Sequence, residues 1–150
     1  MRISGQVPYL RVSDMEDSLR FYRDGLGFSV VRSLEEEGAV FWARLEKDGC
    51  ALMISNRPSR FVEDPRDAHT HEAHAGHAHP FHGTEVVHAG ALNLVFYVYV
   101  EDVDAAHDEL KSRSVPVIEP PSDKFYGLRE FLIRDPDGYY FAVGAALSQG

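Results

Sequence analysis

Apolar and polar positions along the chain fall into two runs of the same order. Pro8 to Val12 is a short apolar run, and the Ser13-Asp14-Met15-Glu16 that follows has the form of a capping box opening a helix. Met15, Leu19, Tyr22 and Leu26 then recur at helical spacing, which predicts a helix over about 15–24 with Gly25 and Gly27 as terminators. Phe28 to Arg32 and Ala39 to Glu46 read as strands around a turn at Glu35 to Gly38. Asp48-Gly49 joins the second of these to a strand over Ala51 to Ser55 in a tight hairpin.

The second half repeats that order. Leu92 to Val100 is a strand, Asp102 caps a helix whose Val103, Ala106 and Leu110 share a face, and Val115 to Ile118 is the next strand. Glu130 to Arg134 and Tyr139 to Gly144 form a hairpin around Asp135-Pro136-Asp137-Gly138, where Pro and Gly supply the turn. Val12-Ser13-Asp14-Met15-Glu16-Asp17 even parallels Val100-Glu101-Asp102-Val103-Asp104-Ala105 at the strand-to-helix joint, the mark of a duplicated unit. Asn56 to Gly90, between the halves, has no periodicity and many breakers, and a loop that long is generally functional or disordered. The expected organisation is one domain, with a first module over about 5–56, a loop over about 57–90 and a second module over about 91–147.

Alternation along the strands separates two faces. Leu94, Phe96, Val98 and Val100 form an aliphatic face expected to pack under a helix, while Val95, Tyr97 and Tyr99 point the other way. Leu10 and Val12 likewise oppose Tyr9 and Arg11, and Phe141 and Val143 oppose Tyr140 and Ala142. Trp42 is left open between the two faces, because the register of Ala39 to Leu45 is not fixed by the sequence.

Composition narrows the function. At 150 residues with 44% hydrophobic content, the chain can bury a sizeable core without staples. A formal net charge of −9 argues against nucleic acid, which is held by a basic stripe. The single Cys50 permits neither an internal disulfide nor a thiolate zinc site, and it reads as a buried small hydrophobe. No apolar run approaches the roughly 20 residues that span a bilayer, and no leader pattern opens the chain, so a cytoplasmic protein is expected. Neither a nucleophile elbow nor a phosphate-cradling glycine loop is present in the sequence.

Two stretches carry a family likeness. Pro8-Tyr9-Leu10-Arg11-Val12-Ser13-Asp14, with Ser18-Leu19-Arg20-Phe21-Tyr22 and Gly25-Leu26-Gly27-Phe28, resembles the opening strand, helix and glycine turn of glyoxalase-like proteins. Tyr126-Gly127-Leu128-Arg129-Glu130-Phe131, running into Asp135-Pro136-Asp137-Gly138-Tyr139, resembles their closing hairpin. The chain is thus similar to the glyoxalase / bleomycin-resistance / extradiol dioxygenase (vicinal oxygen chelate) superfamily, closest in motif style to its bleomycin-resistance branch. The resemblance implies an α+β fold of two βαβββ modules, forming curved mixed sheets around a cleft, in a homodimer.

In catalytic members of that superfamily, one His, Gln or Glu from each of four strands converges on a divalent ion. The motifs place those positions at Val7, Met53, Val95 and Ala142, none of which is a strong donor to such a cation. Sliding the register by one gives Pro8, Leu52, Phe96 and Phe141, which rescues nothing. No cofactor is therefore expected at the family site. What remains is a cleft lined by Tyr9, Arg11, Met53, Tyr97, Tyr99 and Tyr140 and roofed by Trp42, Phe125 and Tyr126, a surface suited to a small aromatic or amphipathic molecule. Any one of these aromatics could instead belong to the core or a dimer interface. Arg129 reads as a structural partner for a carboxylate such as Glu130 or Asp135.

The loop between the modules carries His69, His71, His74, His77, His79, His82 and His88 among Asp67, Glu72 and Glu85. Imidazole ligates zinc, copper and nickel, so this tract is a candidate for weakly selective metal capture. Two alternatives to metal-free binding follow from it. One is a metal-dependent lyase or dioxygenase using loop ligands; the other is a metal-binding protein for which the fold is a scaffold.

Overall fold

The computed structural model of the chain describes residues 1–57 and 94–147. The first module runs β1 (Tyr9–Arg11), α1 (Met15–Leu19) continued by a π-helical turn (Arg20–Gly25), β2 (Ser29–Glu36), β3 (Ala39–Lys47) and β4 (Cys50–Ser55). The second runs β5 (Val95–Tyr99), α2 (Val103–Ser112), β6 (Val117–Asp123), β7 (Leu128–Arg134) and β8 (Tyr140–Ala146). Each is a βαβββ unit and builds one four-stranded sheet, in the orders β1-β4-β3-β2 and β5-β8-β7-β6. In both, the first strand pairs parallel to the last across the helical crossover and the remaining pairs are antiparallel. The architecture is α+β, two mixed sheets with few helices, as the family likeness implied.

Short polar elements set the boundaries. Asp14, not Ser13, caps α1: its side chain accepts from the Asp17 N–H at 2.9 Å. Asp102 caps α2 in the same way, accepting from the Ala105 N–H at 2.9 Å. Asp48 and Gly49 both adopt positive φ, 49° and 80°, the two-residue hairpin geometry the dipeptide predicts. Glu37 and Gly38 do the same at 52° and 79°, so the first hairpin turn is shorter than the sequence suggested and β2 continues to Glu36. β6 runs on through Pro120-Pro121 to Asp123, which a sheet edge permits because an edge strand has N–H positions without ladder partners.

The π-helical turn has a packing consequence. Successive residues of an α-helix diverge too far to share one buried stripe, yet Phe21 and Tyr22 are both buried. Their rings meet edge to face at 5.0 Å, and both approach Phe141 of the second module, at 6.3 and 5.9 Å. One continuous core results, containing Leu10, Val12, Leu45 and Ile54 from the first module and Phe131, Ile133, Phe141 and Val143 from the second.

A buried polar joint locks the modules. Asp135, at the β7–β8 turn, accepts from the Tyr22 hydroxyl at 2.7 Å and from the N–H groups of Asp137 and Tyr139 at 2.9 and 2.8 Å. The Tyr139 hydroxyl donates to the Arg11 carbonyl at 3.1 Å, and the Ser13 N–H to Asp137 at 2.8 Å. Burial raises the Asp135 carboxyl above its ordinary range, an effect that the Tyr22 hydroxyl and the turn N–H groups oppose. Burial, reinforced by the neighbouring Asp135 charge, pushes the Tyr22 phenol well above its own ordinary value.

Three expectations are corrected. Cys50 is exposed, because it opens β4 directly after the hairpin turn. The aliphatic face of β5 is covered only in part: Phe96 and Val100 pack on the core, while Leu94 and Val98 remain 43% and 39% exposed on an edge strand. Arg129 pairs with neither Glu130 nor Asp135. Its guanidinium donates to Asp104 of α2 at 2.8 and 2.9 Å and to Asp123 of β6 at 2.8 Å. Those hydrogen bonds raise the Arg129 pKa and lower that of Asp104, so the role is structural but the partners differ.

Candidate functional site

Register decides which side chains share a face, because paired residues on neighbouring strands project to the same side. In the first sheet Tyr9 pairs with Met53, and Met53 with Arg44; Arg11 pairs with Ser55, and Ser55 with Trp42. Tyr9, Arg11, Met53 and Trp42 therefore share the face opposite Leu10, Ile54 and Ala43, which are buried in the core. This resolves the ambiguity at Trp42. In the second sheet Val95 pairs with Tyr140, Tyr97 with Ala142 and Tyr99 with Gly144, and the row continues from Gly144 to Glu130 and on to Ser122. The face turned from the core thus carries Val95, Tyr97, Tyr99, Tyr140, Ala142 and Glu130.

Two tyrosines dominate it. Tyr97 and Tyr99 are 49% and 70% exposed, and their rings stack at 6.3 Å with 27° between planes. Small residues lie beside them: Ala142 and Gly144 are both buried, and a Cβ at Gly144 would meet the Glu130 Cβ at 3.0 Å. Tyr126 completes the group from the turn before β7. Its hydroxyl donates to Glu130 Oε1 at 2.5 Å, and its ring meets the fully exposed Phe125 edge to face at 5.0 Å. The hydrogen bond to Glu130 is the main cause that raises the Tyr126 phenol above its ordinary value, and Tyr97 lies near enough to contribute.

Glu130 is the residue sequence reasoning missed. It is only 8% exposed, and among the described residues its Oε2 is buried without a hydrogen-bond partner. Alternation along Leu128–Arg134 was the available signal, since it sets Glu130 on the face opposite Phe131 and Ile133.

The positions that hold an ion in catalytic relatives do not suit one here. Val7 lies before β1 and is half-buried, Val95 is 47% exposed, and Ala142 is buried in mid-strand. Two are aliphatic valines and one an alanine, so only the Met53 thioether carries a lone pair, and it is a soft one. Among the described residues no group of three or more His, Cys, Asp or Glu side chains is placed to hold a metal. His69, His71, His74, His77, His79, His82 and His88 lie outside the described residues. A cavity of about 460 Å³ lies elsewhere, lined by His107, Lys111, Ser114, Val115, Val117 and Pro120 between α2 and β6. It takes in none of the tyrosines.

The profile of the Glyoxalase/Bleomycin resistance protein/Dioxygenase superfamily matches residues 5–143. The chain belongs to that superfamily. Solved structures repeat the fold of this superfamily member at low sequence identity. The crystal structure of UcmS2 aligns with a TM-score of 0.69 at 20% identity, covering 96% of this chain and 98% of that one. TioX from Micromonospora sp. ML1 aligns at 0.62 and 20% identity, covering 95% and 100%. TnmS3 from Streptomyces sp. CB03234, described as an antibiotic binding protein, aligns at 0.62 and 20% identity, covering 97% and 98%. No curated protein matches the sequence significantly. Among the described residues no helix of this superfamily member is long and apolar enough to cross a membrane.

Proposed function

We propose that the chain binds a small aromatic or amphipathic organic molecule against the tyrosine-bearing faces of its two sheets, with no metal at the family positions. The observation that carries this reading is the Tyr97–Tyr99 pair, two stacked phenols that stay largely exposed on the face turned from the core. An aromatic ring with a polar tip offers a planar ligand both stacking area and a directed hydrogen bond. Tyr9, Arg11, Trp42 and Met53 on the first sheet, and Tyr126 and Tyr140 on the second, are the further contacts assigned to it. The apolar residues at Val7, Val95 and Ala142 favour recognition by shape and stacking over Lewis-acid chemistry. The antibiotic-binding description of TnmS3 is in keeping with a ligand of this kind. A homodimer in the cytoplasm belongs to the same proposal.

The test pairs a thermal-shift screen of planar aromatic compounds with elemental analysis of untagged protein. A planar compound that raises the melting temperature by mass action, on protein free of stoichiometric metal, supports the reading. One tightly held ion per chain, lost when His74, His77 and His79 are replaced by Ala, would favour a metal-dependent reaction in its place. Several weakly held ions with no effect on small-molecule binding would favour metal buffering through the histidine tract.

A further inference from the structure

Glu130 stands out among the polar groups of the second sheet. Its carboxylate rises from the same row as Tyr99 and Gly144, on the face that carries Tyr97. Oε1 accepts from the Tyr126 hydroxyl at 2.5 Å, while Oε2 is buried and accepts from no described residue. Buried acceptors are nearly always paired, and leaving one unpaired is unfavourable, more so when it carries charge. Arg129, the adjacent cation, cannot serve: neighbouring residues of a strand face opposite sides, and its guanidinium is held by Asp104 and Asp123. Gly144 lets the Glu130 side chain pack directly against β8, since a Cβ there would meet the Glu130 Cβ at 3.0 Å, and the stacked rings of Tyr97 and Tyr99 stand on the strand beyond.

We propose that Glu130 is the polar anchor of the binding face, a subsite that takes a protonated amine or another strong N–H donor carried on the aromatic ligand. The inference rests on the aromatic-binding reading above and names the chemical class it selects. Nitrogen donates to Oε2 in a charge-assisted hydrogen bond while the ligand ring lies along Tyr97 and Tyr99, whose faces also attract a cation. The Tyr126 hydroxyl remains the partner of Oε1.

The experiment compares naphthylmethylamine with naphthylmethanol, which share a ring and differ in charge, by calorimetric titration of the unaltered protein and of Glu130→Gln. The account expects the ammonium probe to bind the unaltered protein about tenfold or more tightly than the alcohol. In Glu130→Gln that preference should fall to within about twofold. Equal affinities on the unaltered protein, or a preference that survives in Glu130→Gln, would overturn the subsite while leaving the aromatic-binding reading in place. If neither probe saturates a site, both readings fail together. The two-probe comparison on the unaltered chain decides the matter even if Glu130→Gln folds poorly.

Discussion

Replacing Tyr22 by Phe isolates one hydrogen bond at the joint between the modules. The ring is fully buried, and its packing on Phe21, Phe28 and Phe141, at 5.0, 6.4 and 5.9 Å, survives the change. What is lost is the hydroxyl that donates to Asp135 Oδ2 at 2.7 Å. Asp135 keeps the N–H groups of Asp137 and Tyr139 on Oδ1, but Oδ2 is left buried and unpaired. A hydrogen bond to a charged acceptor contributes about 1.5–3 kcal/mol, so the loss should be about 2 kcal/mol at neutral pH. For a chain of this length, that lowers the melting temperature by roughly 4–8 °C.

The pH dependence has a definite sign. Burial holds the folded-state pKa of Asp135 above its unfolded value of about 3.9, so between the two the native protein binds the proton more tightly than the unfolded chain. Stability is accordingly lost as pH rises through that window, and the Tyr22 hydroxyl offsets part of the loss by favouring the ionised form. Removing it raises the folded pKa further, so the penalty should be greatest near neutral pH and should shrink toward about pH 4 and below. Urea unfolding followed by Trp42 fluorescence, at neutral and acidic pH, measures both quantities. A loss below about 0.5 kcal/mol at neutral pH, or one of equal size at both, would refute the reasoning.

Two further substitutions test the packing and the caps. Gly25→Ala sets a Cβ 2.8 Å from Val115 Cγ2 and should cost about 1–3 kcal/mol, with the Gly25→Ala/Val115→Ala double variant losing less than the sum of the singles in the same urea assay. Additive losses would show that the contact is not the cause. Asp102→Ala removes the acceptor for the Ala105 N–H and should cost about 0.5–2 kcal/mol, while Asp102→Asn stays near the native value; equal losses in the two would argue against capping.

The order of elements was legible in the sequence because each module alternates a helical period with strand periods, and that contrast survives uncertainty at the ends. Ends were less so, since they depend on partners distant in the chain. β2 reaches Glu36 because β3 supplies pairing as far as Ala39, and β6 crosses two prolines because it lies at an edge. The helix starts at Met15, where the periodicity set it, and only the cap differs, Asp14 in place of Ser13, as both side chains can cap and the backbone path chooses.

Alternation set Tyr97 and Tyr99 on the strand face opposite Phe96, where they stand exposed, because period two is a property of the strand itself. Trp42 needed the register with Ser55, which no local pattern specifies. Glu130 was hidden by its neighbour. Adjacent opposite charges suggest a pair, whereas on β7 they face opposite sides, one toward Asp104 and the other toward Tyr126.

The claim that shape and stacking do the recognising is tested most directly by titrating the best compound of an aromatic panel into the protein with and without a strong chelator, alongside Tyr97→Ala and Tyr99→Ala. The account predicts an affinity that the chelator leaves unchanged and that either substitution weakens about tenfold. Binding abolished by the chelator and untouched by loss of both rings would contradict it.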